Sequence, residues 1–359
     1  MSPVRVGLAA AAIAAMGWTT VSALDRVTIP ASLQSSGIVR EQHPGPDSLR
    51  VASLLIALDK GDPLICEVFA DRMGNSWWGR ASRIGDFGDA AANQRAAQDS
   101  LSGRIEHAGT IQLLTASLSH GNPCVRRVAA RWLGRSSVAT SRLTGLLDDP
   151  SATVREAAAY AIGSGEKRQT RVALEAMLAR RGGAEAAMAA WALAEEDDSA
   201  SVPALQRALR HADAPVRRAA AYALGEIADL RALDALSAAL RDADAEVRYA
   251  SAHAIGELDD LEHPPAALLE ACRSSDRKLA RIAAMTVAEL HDPATLDVLI
   301  ALADMDDRDV RVHVAEALGE IGSLKANAPL LRMLQDQDAE VRRAAAEALG
   351  ELRENGSRD

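Results

Sequence analysis

Apolar residues recur along this chain with a helical period, and the helical pattern itself recurs. Residues 216–227 read VRRAAAYALGEI, and residues 341–352 read VRRAAAEALGEL, 125 positions later. VRYASAHAIGEL at 247–258 and VRVHVAEALGEI at 310–321 lie between them. In each, the apolar positions fall at i, i+3, i+4 and i+7, the signature of a helix with one buried face. A second amphipathic segment goes with each, as in SVPALQRALR at 201–210. Frames aligned on the opening position begin at Val125, Val154, Glu185, Val216, Val247, Leu279, Val310 and Val341, in steps of 29 to 32 residues. A period this regular predicts stacked helix pairs, each covering the apolar face of the next. The expected fold is all-α, a right-handed α-solenoid of eight clear repeats plus one or two degenerate ones.

The punctuation agrees. Three residues before the frame start stands a helix-capping type: Asn122, Ser151, Asp213, Asp244, Asp276, Asp307 or Asp338. Such side chains accept hydrogen bonds from the free N–H groups of the helix that follows. Nine residues after the start comes Gly134, Gly163, Gly225, Gly256, Gly319 or Gly350, which suits either close helix packing or a C-terminal stop. The frame at 185 has Gly182 and Ala194 at these places and is the most irregular.

Composition sharpens this picture. Only 3% of the 359 residues are aromatic, with two Phe and three Tyr, which suits thin Ala/Leu layers better than one large core. The formal net charge of −10 argues against nucleic acid or an anionic membrane as partner. The first residues carry Arg5, an uncharged run from Val6 to Trp18, and Val21-Ser22-Ala23 as a small-x-small cleavage site. They read as a signal peptide over 1–23, too short to span a bilayer, cleaved before Leu24. This predicts a periplasmic or secreted protein with no stable membrane insertion after cleavage. Residues 24–47 read as a linker and 48–105 as degenerate repeats. Within these, 62–74 and 93–105 match the frame weakly around a Gly/Trp-rich loop at 75–88. The clear repeats occupy 106–352, and 353–359 form a tail. Of the three cysteines, Cys272 stands where other repeats carry Leu. Cys66 and Cys124 lie about two repeats apart, roughly 20 Å at ~8–10 Å per layer, so no structural disulfide is expected.

The motif D-x-x-V-R-x-x-A-A-x-A-L-G-E-[IL] resembles HEAT repeats, in particular the short HEAT-like class of phycobilisome lyase subunits. It is also similar to artificial 31-residue repeat scaffolds derived from that class. The resemblance covers about 106–352 and specifies fold far better than function. It implies that Arg126, Arg155, Arg217, Arg248, Arg311 and Arg342 belong to a structural Asp/Arg ladder. Most of them also follow a capping Asp or Asn by four residues, so each can pair with its own cap on one helix face. A phosphate-binding stripe of these arginines is disfavoured, because the neighbouring Asp residues would neutralise it.

Catalytic chemistry finds little support. HEAT-like repeats occur in deoxyhypusine hydroxylase with His-Glu iron ligands, but none of the eight histidines here is followed by Glu. His253…Glu257 and His313…Glu316 have helical ligand spacing, yet each is a lone His two frames from the other. G-x-S-x-G, H-E-x-x-H and phosphate-cradling loops are missing from the sequence. The expectation is therefore a non-enzyme with no cofactor and no metal. The alternatives are an enzyme or enzyme subunit of the lyase or hydroxylase kind, or the sensor ectodomain of a larger envelope system.

What differs between near-identical repeats points to a binding face. Offsets +2, +6 and +10 share one stripe of the second helix. This stripe is the one that the similar artificial scaffolds diversify. Here it begins basic, with Arg127, Arg131 and Arg135. It then carries Tyr160, Trp191, Arg218, Tyr222, Tyr249, His253 and Glu257, and it ends acidic at Glu316, Glu320, Glu347 and Glu351. All three tyrosines fall on it, and Tyr and Trp are anchor residues of interfaces. The stripe predicts an exposed aromatic patch, with charged flanks, that grips a protein or peptide partner.

Overall fold

A computed structural model describes residues 46–60, 105–165 and 170–355. The signal-like segment, residues 24–45 of the linker, the weak repeats at 62–74 and 93–104, the 75–88 loop, and residues 356–359 of the tail lie outside the described residues.

The described residues form helices joined by short turns, some of them 3-10, and contain no strand. A first helix, α1 (Pro46–Asp59), precedes eight pairs. These are α2 (Ala108–Ser117) with α3 (Pro123–Gly134), α4 (Thr140–Leu146) with α5 (Ala152–Gly163), and α6 (Arg171–Arg180) with α7 (Gly183–Glu195). They continue with α8 (Val202–Ala208) and α9 (Ala214–Ile227), α10 (Leu233–Ala239) and α11 (Ala245–Gly256), and α12 (Ala266–Ala271) and α13 (Arg277–Glu289). The last are α14 (Leu296–Leu302) with α15 (Arg308–Ile321) and α16 (Asn327–Met333) with α17 (Ala339–Asn355). Each second helix packs on its own first helix and on the second helices before and after it. This is the expected α-solenoid. α1 packs on α2 and α3 and covers the first pair.

The repeat motif explains the stacking. In α9, Val216, Ala219, Ala220, Ala221, Ala223 and Leu224 are all fully buried. Alanine on several faces lets the second helices approach closely, and glycine at +9 takes this further. A Cβ on Gly225 would stand 2.9 Å from Cα of Ala254, and one on Gly319 would stand 2.8 Å from Cα of Ala348. The opposing residue is always at +7 of the next frame: Ala161, Ala192, Ala254, Thr286 or Ala348. These glycines serve packing; α3, α5 and α11 also end at theirs, while α9 and α15 run past to Ile227 and Ile321.

The capping expectation holds for Asn122, Asp244, Asp276, Asp307 and Asp338, whose side chains accept from N–H groups of the following first turn. It fails at Ser151 and Asp213, which make no side-chain cap. Asp213 instead accepts from the backbone N–H of Gly183, at 2.7 Å. Gly183 has φ +60, and that left-handed turn aims its N–H across to the next repeat.

Four of the six arginines form the ladder, wired differently from the within-helix pairing, while Arg126 and Arg342 donate to backbone carbonyls five and six residues back. The Arg217 fork donates to Asp242 at 2.7 and 2.8 Å, and the Arg311 fork to Asp336 at 2.7 and 3.0 Å. Arg155 reaches Glu185 and Arg248 reaches Asp276. Every one of these acids belongs to the following repeat. The remaining guanidinium nitrogen donates to carbonyls five and six residues back, as from Arg217 to Ala212 and His211. A planar five-donor fork can serve both roles at once, which an ammonium cannot. Hydrogen bonding from these arginines holds the carboxyls of Glu185, Asp242, Asp276 and Asp336 below the usual range.

One expectation about cysteine is overturned: Cys124 is disulfide-bonded. The N-terminal region is not two layers removed from α3, since α1 packs directly on it. Asn122, the cap of α3, donates to the carbonyl and carboxylate of Asp59 at 3.5 and 3.4 Å. The chain therefore leaves α1 beside Cys124, and the partner sulfur lies outside the described residues. Cys272 is free and buried, as expected.

Candidate functional site

The +2/+6/+10 stripe runs over the stacked second helices, and the structure brings most of its residues to one face. Arg127 and Arg131 on α3, Tyr160 on α5, Arg218 and Tyr222 on α9, and Tyr249 on α11 are half-buried. His253 and Glu257 on α11 are exposed and form an i,i+4 pair at 3.5 Å.

Trp191 does not belong to this surface. It is only 6% exposed, and its ring stacks on Tyr160 with centroids 5.2 Å apart and an interplanar angle of 18°. The space it fills comes from Gly163, where a Cβ would stand 2.7 Å from the indole ring. α7 is buried continuously from Ala186 to Ala194, so its stripe position faces neighbouring helices and not solvent. Trp191 is thus a packing residue between α5 and α7, and the expected continuous aromatic patch is interrupted at its centre. Tyr249 is also engaged within the chain. Its hydroxyl lies 2.8 and 2.9 Å from the Asp276 carboxylate oxygens, and Lys278 Nζ sits 4.1 Å above its ring centroid. The hydrogen bond to Asp276 raises the phenol above its ordinary pKa.

The charges on the stripe are distributed unevenly. At its head, Arg127, Arg131 and Arg135 follow one another at i, i+4 and i+8 on α3, all half-buried. Arg131 Nε is shielded from solvent and has no acceptor. Burial, and then the charge of Arg131, pull the Arg135 guanidinium below its ordinary pKa. On the facing helix α5, burial raises the Glu156 carboxyl, although Arg126 and Arg127 pull it the other way. At the far end Glu316, Glu320, Glu347 and Glu351 are exposed. There Arg343 is paired with Glu340 at 2.9 Å and with Glu347 at 3.1 Å. The basic start and acidic end read from sequence are therefore both present.

Catalytic groups are scarce. Among the described residues no group of three or more His, Cys, Asp or Glu is placed to hold a metal ion. His313 Nδ1 lies 2.7 Å from the carbonyl of Asp309, so its helix engages it. Burial pushes the Cys272 thiol up to about 12, so it stays protonated and is no nucleophile. No described helix is long and apolar enough to cross a membrane.

The geometry of the pairs agrees with the comparisons to known proteins. A family model for HEAT repeats matches residues 111–184, 170–256 and 265–350. No curated protein sequence matches the chain. Among solved structures, the E. coli protein YibA is similar at 20% identity and TM-score 0.55, over 76% of this chain and 98% of that one. An engineered protein is similar at 21% identity and TM-score 0.44, over 80% and 88%. The CpcE–CpcF complex of phycocyanin lyase from Nostoc sp. PCC7120 aligns at 20% identity and TM-score 0.38, over 68% and 94%. At these identities the likeness shows the fold alone. Period, helix pairs, inter-repeat arginine ladder and matched family model together place the chain in the HEAT-repeat family.

Proposed function

We propose that this protein is an exported HEAT-repeat scaffold that binds a protein or peptide partner along the face formed by its second helices. The observation that carries the reading is a contrast between two sets of arginines. Arg155, Arg217, Arg248 and Arg311 are each committed to a carboxylate of the next repeat. Among the described residues, Arg127, Arg131 and Arg135, on the stripe, form no such ion pair, although Glu156 lies close enough to Arg127 to feel its charge. A side chain that is half out of water and unpaired inside the molecule has an unmet demand that a ligand can meet. Tyr222 and His253 continue the same face three and four repeats further on, and stacked repeats suit extended ligands by their shape.

Export is supported by the charged start, apolar run and small-x-small site of residues 1–23. The disulfide at Cys124 fits an oxidising compartment, where such bonds persist.

A photo-crosslinking amino acid at Tyr222, expressed in the native host and compared with one at Leu331 on a first helix, tests the binding face. Crosslinks to a protein partner from 222 and not from 331 support it. Equal crosslinking from both positions, or from 331 alone, overturns it.

A further inference from the structure

We infer that Arg127, Arg131 and Arg135 form a binding site for an extended acidic peptide segment, with carboxylates on alternate residues. This rests on the scaffold reading above and names the chemistry of its partner at the head of the stripe.

The row is costly as it stands. Like charges at i, i+4 on one helix repel, and here the repulsion is stronger because the side chains are half-buried. The Nε of Arg131 is out of solvent without an acceptor. Further along the array Arg217, Arg248 and Arg311 are each answered by a carboxylate of the next repeat. On the facing helix α5 the one acid is Glu156, whose carboxyl is raised by its own burial. One such acid cannot serve three guanidinium groups.

Spacing selects the ligand. Residues four apart on an α-helix rise by about 6 Å, so the three guanidinium groups form a row about 12 Å long. In an extended peptide, alternate residues point the same way and are spaced by about 6.7 Å. Three alternate Asp or Glu side chains can therefore each meet one arginine, with the two-pronged geometry that favours Arg over Lys. A single phosphate or sulfate is smaller than the spacing and would engage one or two of the three. A nucleic acid strand also spaces its charges, but it would face the exposed glutamates further along the stripe and a chain of net charge −10.

The test uses the full mature chain and fluorescent probe peptides in an anisotropy titration. The first peptide alternates Glu with Gly over seven residues. The second has the same composition with its Glu residues contiguous, and the third carries Gln for Glu. The inference predicts that the alternating peptide binds best, that Gln abolishes binding, and that added salt weakens it. Arg127→Gln/Arg131→Gln should weaken it by about tenfold or more, and Arg131→Lys should retain part of it. Arg142→Gln, at an exposed position of α4, should change nothing. The peptide should also raise the Tm of the wild-type chain and not that of the double variant, which separates lost binding from misfolding. Unchanged affinity in the double variant, equal competition by inorganic phosphate, or preferential binding of single-stranded DNA would each overturn the inference. Crosslinking from position 222 that persists while the acidic peptide fails to bind would refute this inference and leave the scaffold reading standing.

Discussion

Trp191 of α7 stacks on Tyr160 of α5 at 5.2 Å, joining two successive second helices through their side chains. Two residues whose stripe position marks them as ligand anchors thus form, in part, a joint between repeats. Replacing Trp191 by Ala should cost about 3–5 kcal/mol through lost burial and the cavity left behind. Chemical denaturation followed by circular dichroism measures this. A near-neutral effect would mean that the indole contributes to binding and not to packing.

One motif position should respond with opposite signs in two repeats. Gly225 opposes Ala254 so closely that an added Cβ would stand 2.9 Å from backbone and side chain, while Gly350 has nothing within 4 Å. Gly225→Ala should destabilise by about 1–3 kcal/mol, less the gain in helix propensity. Gly350→Ala should stabilise by up to about 1 kcal/mol. Melting curves of the two variants, measured side by side, check the pair.

The ladder predicts the direction of pH dependence. Glu185, Asp242 and Asp336 are held below their ordinary pKa by arginines of the preceding repeat. A carboxylate with a depressed folded pKa contributes stability that is present above its unfolded pKa, near about 4, and lost as pH falls through the folded value. Stability should therefore be level from neutral pH down to about pH 5 and fall below about pH 4. In Asp242→Asn the acid-induced loss should be smaller than in the wild type. Urea midpoints taken across this range decide it, and an equally steep fall in the variant would remove Asp242 from the account.

How much of this was legible in the sequence differs from residue to residue. The period was fully legible, because every helix pair buries the same offsets and the motif repeats them. The burial of Trp191 was not, since an offset names a helix face but not what lies opposite, and Gly163 of the previous helix makes the room. Asp213 carries the same capping type as Asp244, yet the turn at Gly183 captures its carboxylate. The bonding of Cys124 depends on where α1 returns to the array, and no repeat period encodes that. The stripe arginines were legible as a basic start, while the lack of an ion pair to them among the described residues required the ladder to be seen.

The most direct test of the central claim is amide hydrogen exchange of the mature chain, alone and with its crosslinked partner bound. The account predicts added protection along α3, α5, α9 and α11, with the first helices α8, α10 and α16 unchanged. Protection confined to the first helices, with the stripe unaltered, would contradict it.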